Sequence, residues 1–132
     1  MIGIDTSVLV RHFTQDDAEQ AAIAGRFLLR ELSNDRPGHV SLVALAEMSW
    51  VLRSRYKTAR DEIITIIESL LVAPSLRVQD ENAVWAALDE CESSKVGVAD
   101  ALIAAVDRLH GCSHTVSFDA KAARVSGMTL LR

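Results

Sequence analysis

Four acidic residues each stand alone within an apolar stretch of the chain. They are the only Asp, Glu, Lys or Arg in residues 1–10, 42–52, 96–106 and 113–120, and in chain order they are Asp5, Glu47, Asp100 and Asp119. An ionised carboxylate within a buried apolar segment is costly unless it is paired, protonated or bound to a cation. Because no lysine or arginine adjoins any of the four, we expect them to meet at one site. Mg²⁺ or Mn²⁺, hard divalent ions that prefer oxygen ligands, would be the cation held there.

Each of the four carboxylates also has an ordinary structural interpretation. Asp5 and Asp119 can cap the helices that follow them, and Asp100 can interact with a helix dipole in a first turn. Glu47 has no capping role in mid-helix, so its alternative is a buried ion pair. A common site explains the four together better than four separate structural roles. Carboxylates held close together raise one another's proton affinity, so we expect at least one raised pKa among them without metal.

Length and composition set the broad class. The 132 residues predict a single domain, residues 1–132, and 49% apolar residues argue against disorder. A formal net charge of −4 is not typical of a nucleic-acid-binding protein, although bound metal and a local basic patch would offset it. The isolated Cys91 and Cys112 indicate reduced thiols in a cytoplasmic protein. We expect no signal peptide, and no apolar run approaches the roughly 18 residues of a membrane span.

Hydrophobic periodicity predicts strands that alternate with helices. The predicted strands are Ile2–Asp5, His39–Ser41, Leu76–Val78, His114–Ser117 and Met128–Leu131. The predicted helices are Thr6–Phe13, Asp16–Leu32, Leu42–Arg53, Thr58–Ala73, Glu81–Glu92, Ala99–His110 and Asp119–Val125, with Thr58 capping the fourth. This alternation is typical of an α/β fold with a mostly parallel sheet.

The predicted elements place the carboxylates where an α/β protein binds its ligands, beyond the carboxyl ends of the strands. Asp5 and Asp119 lie where a strand passes into a helix, and Asp100 lies at the start of a helix. Glu47 lies in the middle of one. The placement is therefore consistent with one shared pocket.

Four short motifs surround these carboxylates. They are Ile4–Leu9 (IDTSVL), Ser41–Glu47 (SLVALAE), Val98–Ala105 (VADALIAA) and Val116–Asp119 (VSFD). Each motif is weakly specific by itself, whereas the four in this order and in a chain of this length are specific. Together they resemble a PIN domain, in particular the short, single-domain VapC-type toxins, and the resemblance covers the whole chain.

The resemblance implies a PIN-like three-layer α/β fold, in which helices flank a short, mostly parallel central sheet. It implies a Mg²⁺- or Mn²⁺-dependent endoribonuclease, the toxin component of a type II toxin–antitoxin pair, which leaves a 5′-phosphate and a 3′-hydroxyl. The catalytic and metal-binding acids carried over by position are Asp5, Glu47, Asp100 and Asp119. The hydroxyls that would support them are Thr6, Ser7 and Ser117, of which the last stands where the family usually has threonine.

A basic segment is the candidate for contact with RNA. In this segment, cationic side chains would bind RNA phosphates and an aromatic ring would stack on a base. The alternative interpretation is a solvated helix end with no binding role. The tryptophans Trp50 and Trp85 have helical core spacing and are predicted to pack rather than to bind. The residues of the basic segment are Arg53, Arg55, Tyr56 and Lys57.

The predicted partners are RNA, a second copy of the chain and a cognate antitoxin. Helices Asp16–Leu32 and Thr58–Ala73 carry apolar stripes that exceed what short strands can cover, and exposed apolar patches mark partner sites. VapC-type proteins, which the chain resembles, form homodimers and hold an antitoxin segment in a groove near the active site. The two stripes, with Ile67 in the second, are therefore predicted to form this groove.

Two alternative functions stay open on the sequence. One is a PIN-like nuclease of RNA maturation or decay. The other is a non-catalytic, receiver-like acidic α/β module, which needs a phosphoacceptor aspartate on a central strand and a lysine after a later strand. Lys95 and Lys121 are poorly placed for that lysine, and Glu47 would have no role.

Overall fold

The computed structural model describes all 132 residues and divides into two compact units, Met1–Gln79 and Asp80–Arg132. The first unit contains three strands and four helices, and the second contains two strands and two helices. Every strand pair is parallel. The α/β class with parallel pairing is therefore confirmed, although the strands form two sheets, one in each unit, where the sequence predicts one.

The sheet of the first unit consists of β1 (Ile2–Gly3), β2 (Gly38–Val40) and β3 (Leu76–Val78), in that order. Gly38, at the start of β2, is in register with Ile2 on one side and Leu76 on the other. Parallel strands need a crossover connection, and a pair of helices supplies each one. All three strands therefore end at the same edge, where β1 leads directly into Asp5.

The helices of the first unit are α1 (Thr6–Thr14), α2 (Ala18–Arg26), α3 (Leu42–Ser54) and α4 (Arg60–Val72). The predicted helix Asp16–Leu32 is thus mostly confirmed, but its last five residues, Phe27–Glu31, form a π-helical segment. The first three helices begin at residues whose side-chain oxygens accept backbone N–H bonds, and these caps are Asp5, Asp17 and Ser41. The predicted cap at Thr58 is wrong, because α4 starts after Ala59, which has no capping side chain.

The core of the first unit lies between the sheet and these helices. Helix α4 packs on α3 and β3, so its apolar stripe is covered. Its residues Ile63, Ile64, Ile67 and Leu70 are buried, and Ile67 is fully so. The prediction that this stripe is left uncovered is therefore wrong. On and after α2, by contrast, Ile23 is 51% and Leu29 is 74% exposed.

The second unit packs α5 (Glu81–Ser94) against α6 (Val98–Leu109) and adds the parallel strands β4 (Thr115–Ser117) and β5 (Met128–Leu130). Helix α6 ends as predicted, with Gly111 adopting a φ of +86° that a side chain rarely tolerates. The predicted helix Asp119–Val125 is wrong. Only a single 3₁₀ turn forms there, Ala122–Arg124, because Val125 is already extended.

No helix in the structure combines the length and the hydrophobicity that are needed to cross a membrane. Both cysteines are free thiols; Cys91 is buried and Cys112 is exposed.

Candidate functional site

The Asp5 carboxylate is fixed at the point where β1 passes into α1. Asp5 is the N-cap of α1, and its Oδ2 accepts the Ser7 backbone N–H at 3.1 Å and the Ser7 hydroxyl at 2.7 Å. The capping role that the sequence offered as an alternative is thus real. It leaves the carboxylate exposed and held in one orientation at the carboxyl edge of the sheet.

These bonds also set the protonation state of Asp5. The Ser7 hydroxyl and then the Ser7 backbone N–H stabilise the ionised form and hold the pKa of Asp5 below its usual value of 3.8. The shift is opposite in sign to the rise expected for clustered acids. Asp5 is therefore a ready anion at neutral pH, as a metal ligand must be.

Glu47 lies on the outer side of α3 in the same unit. The Thr6 hydroxyl, beside Asp5, donates to the Ala44 carbonyl of α3 at 3.3 Å, one turn before Glu47. This bond joins the start of α1 to the helix that carries Glu47. The Glu47 side chain is exposed and makes no hydrogen bond or ion pair.

Asp100 and Asp119 belong to the second unit. Asp100 is half-buried in the first turn of α6, and Asp119 is exposed just after β4. The Thr115 hydroxyl of β4 donates to Asp107 of α6 at 2.7 Å, so the strand that precedes Asp119 contacts the helix that carries Asp100.

Asp119 caps the 3₁₀ turn that follows it. Its Oδ1 accepts the backbone N–H groups of Lys121 at 2.8 Å and Ala122 at 3.3 Å. The Ser117 hydroxyl oxygen in turn accepts the Asp119 backbone N–H at 3.0 Å. Of the three hydroxyls predicted to support the acids, only that of Ser7 binds a carboxylate in the structure, whereas those of Thr6 and Ser117 bind backbone groups.

The premise that the four carboxylates are buried is wrong. Asp5, Glu47 and Asp119 are exposed and Asp100 is half-buried, so no burial cost forces them together. Two lie in each unit, and their convergence at a single site stays a prediction.

A cavity of about 590 Å³ lies beside Asp5 in the first unit. Its lining combines the apolar side chains of Val8, Ile23 and Phe27 with polar or charged ones that include Ser7, Arg11 and Glu31. Sequence reasoning missed Arg11, although its position four residues after Ser7 on the same helical face is a signal that could have identified it. The cavity therefore offers a mixed apolar and charged surface next to a fixed carboxylate.

Arg11 is held in place by a network around Asp16. Arg11 Nε donates to Gln20 at 2.7 Å, and Nη1 lies 3.2 Å from Asp16 in a salt bridge. Tyr56 donates its hydroxyl to Asp16 at 2.5 Å, and this bond is the largest cause of a lowered pKa for Asp16. Thr14 adds a further bond to the same carboxylate at 3.1 Å. The hydroxyl of Tyr56 thus joins the turn after α3 to the segment before α2.

The structure also bears on the predictions for the basic segment and for the two tryptophans. Arg53, Arg55 and Lys57 are exposed, but Tyr56 between them is half-buried. Trp50 is 63% exposed and Trp85 is 36% exposed, so the prediction that both tryptophans pack in the core is wrong.

The residues present fit a hard divalent ion by their donor chemistry. All four acids supply carboxylate oxygens, and Mg²⁺ commonly binds one or two carboxylates together with water and substrate phosphates. No group of three or more His, Cys, Asp or Glu side chains is placed to hold a metal ion. The fit therefore rests on the donor type and on the fixed, ionised Asp5.

Fold and site together define an α/β protein with parallel strands and an oriented carboxylate at the carboxyl end of its first strand. The sequence matches the family model of the PIN domain over residues 2–128, and the chain belongs to this family. PIN domains are generally metal-dependent nucleases, and PIN nucleases act on RNA. None of the curated proteins matches the chain significantly.

Proposed function

We propose that this protein is a metal-dependent endoribonuclease and the toxin component of a type II toxin–antitoxin pair. The observation that carries the proposal is the Asp5 carboxylate, fixed and ionised at the end of β1 beside an open cavity, in a chain of the PIN family. The family match leaves the receiver-like alternative without support. We place the enzyme in the cytoplasm, in keeping with its free thiols.

The residues that would hold Mg²⁺ or Mn²⁺ are Asp5, Glu47, Asp100 and Asp119. When bound, such an ion supplies charge neutralisation at a phosphate and acidifies water. Asp5 contributes an oriented anion, because Ser7 restrains its Oδ2 from two directions. Glu47, which has no partner, orients the attacking water and accepts its proton. Hydrolysis leaves a 5′-phosphate and a 3′-hydroxyl.

The reaction needs no covalent intermediate. Ser7 is the hydroxyl nearest to Asp5, and it donates to a carboxylate whose pKa is lowered. So weak a base does not activate a serine, which normally requires an adjacent histidine or lysine. Ser7 therefore positions Asp5 and does not attack phosphorus.

The direct test is a cleavage assay on single-stranded RNA with Mg²⁺, with Mn²⁺ and with EDTA. Asp5→Asn should abolish metal-dependent cleavage and keep the fold, because asparagine caps helices as well as aspartate does. Asp35→Asn is the matched control, since it removes an exposed loop carboxylate that belongs to none of the four motifs. An active Asp5→Asn enzyme, or cleavage that survives EDTA, would refute the proposal.

Ser7→Ala tests the positioning of Asp5. The Ser7 hydroxyl lowers the pKa of Asp5, so its removal should raise that pKa. Protons then compete with metal at higher pH, and the acidic limb of the pH–activity profile should move upward. An unchanged limb would show that this bond does not govern the active protonation state.

The cavity beside Asp5 is our proposed antitoxin site in place of the groove that included α4. Its wall at Ile23 and Phe27 suits the apolar face of an amphipathic segment, and a basic side chain of that segment would reach Asp5. Ile23→Glu should weaken capture of the product of the neighbouring gene on co-expression. Leu29→Glu, at a still more exposed position outside this cavity, is the control. Equal capture by both variants would move the partner site elsewhere.

Two biological features belong to the same proposal. We propose a homodimer, which light scattering at micromolar concentration tests directly. An RNA-processing nuclease would use the same residues, and growth arrest on expression distinguishes the toxin. Arrest should occur with the wild-type chain and disappear with Asp5→Asn.

A further inference from the structure

Helix α3 presents an exposed apolar face on both sides of Glu47. Val43, one turn before Glu47, is 80% exposed, and Trp50, one turn after it, is 63% exposed. Two large apolar side chains at such exposure, about two turns apart on one helix, indicate a surface that meets a ligand or a partner. We therefore expect this face to bind a ligand or partner that also contacts Glu47, the candidate catalytic acid.

The charge along α3 indicates the chemistry of this occupant. Beyond Trp50 the helix and the following turn expose Arg53, Arg55 and Lys57. No acidic residue occurs from position 48 to position 60. A helix rises 1.5 Å per residue, so Trp50 and Arg53 lie about 4.5 and 9 Å along the axis from Glu47. An acid, a flat ring and a cation thus follow one another on successive turns of α3, each about 60° further around the helix than the one before.

Trp50 is the one aromatic ring of the first unit that is exposed. Phe13, Phe27 and Tyr56 are half-buried there, and the hydroxyl of Tyr56 is bound to Asp16 and Arg11. An exposed ring beside cations is the pattern that holds single-stranded nucleic acid, because every base has a face that can stack. The cations that follow the ring, with no acidic residue among them, complement a phosphate backbone.

We propose that Trp50 stacks on a base of single-stranded RNA next to the phosphate that is cleaved, with Arg53 and Lys57 on the phosphates beyond. The proposal rests on the ribonuclease function proposed above and assigns part of its substrate track. Trp50 replaces Tyr56 as the stacking residue of the basic segment. Cleavage would accordingly require an unpaired base at this position, since a base within a duplex has no free face.

The test measures binding of the full chain to a fluorescein-labelled single-stranded RNA of about ten nucleotides, with EDTA present to prevent cleavage. Trp50→Ala should weaken binding by about 5- to 100-fold, the usual loss when one base loses its aromatic platform. Trp50→Phe should retain most of the affinity, because the ring is kept. Trp85→Ala, which removes the other tryptophan from the second unit, is the matched control and should bind as the wild type does.

Two further readouts separate stacking from a structural effect. An oligonucleotide with abasic sites should bind wild type and Trp50→Ala equally, because it offers nothing to stack. Trp50→Ala should leave the dependence of affinity on salt unchanged. Arg53→Ala should reduce that slope by about 0.7, as expected for one lost phosphate contact on a single strand.

The outcomes distinguish this inference from the function on which it rests. Equal RNA affinity of wild type and Trp50→Ala, in an enzyme that cleaves RNA, would overturn the inference alone. Conversion of a dimer to a monomer by Trp50→Ala without loss of RNA affinity would also overturn it and assign the face to a second copy of the chain. A wild-type chain that neither binds nor cleaves RNA would remove the proposed function as well.

Discussion

Gly38 has less free space around it than Gly3, the other glycine of the sheet that leads to Asp5, and Gly38→Ala tests how far the packing of this sheet controls the position of Asp5. A Cβ at this position would lie 2.9 Å from Leu32 Cδ1 and 3.0 Å from both Ile4 Cδ1 and Leu76 Cδ2. Ordinary contacts of this kind are 3.4–4 Å. The added methyl group therefore meets side chains from three directions at once.

The loss of stability in Gly38→Ala depends on how far the contacting side chains can move. All three contact atoms are terminal methyl groups that can turn, but Ile4, Leu32 and Leu76 are buried and have little room. We expect Gly38→Ala to lower the free energy of unfolding by about 1–2 kcal/mol, in the lower part of the range for an overpacked core. This loss corresponds to a melting temperature lower by roughly 3–10 °C. Thermal and urea unfolding of the variant measure it.

The effect on activity should exceed the effect on folding. Ile4 directly precedes Asp5, so a displaced Ile4 shifts the carboxylate, and small misplacements of catalytic groups cost much activity. Gly3→Ala in β1 is the control, since a Cβ there meets nothing within 4 Å, and it should be neutral in both assays. Equal stability and equal cleavage rates of the two variants would refute the reasoning.

Two further predictions concern the first unit. Tyr56 lowers the pKa of Asp16, so this bond stabilises the fold above the unfolded pKa near 3.8, and the contribution is lost as pH falls through the lowered folded pKa. Tyr56→Phe should therefore be less stable than wild type at pH 7, and the difference between their urea midpoints should shrink toward pH 2. A difference that stays constant with pH would contradict the assignment. Ile67→Ala should lower the free energy of unfolding by about 2–5 kcal/mol because Ile67 is fully buried, whereas Val72→Ala, at an exposed position of the same helix, should change it by no more than about 0.5 kcal/mol. Equal losses would indicate that the apolar stripe of α4 is exposed after all.

The sequence predicted correctly those structural features that depend only on residues close together in the chain. Strand Leu76–Val78 is found residue for residue, and Gly111 ends α6, because a short apolar run between turns and a glycine C-terminal to a helix each act within a few residues. The position of Asp5 at the end of β1 is equally local. It follows from one strand, one cap and the hydroxyl two residues on.

Tertiary structure decided what each apolar face meets. Periodicity shows that a helix has an apolar side but not what covers it, so Ile67 proved buried and Trp50 exposed. The bond between Tyr56 and Asp16 spans 40 residues and leaves no local signal. Asp119 illustrates the same limit, because a cap predicts that a turn begins but not how far it continues. The sequence by itself identified the acids proposed as site residues, because their types and positions are written in the chain, whereas packing between distant segments determined which side chains are exposed and which are buried.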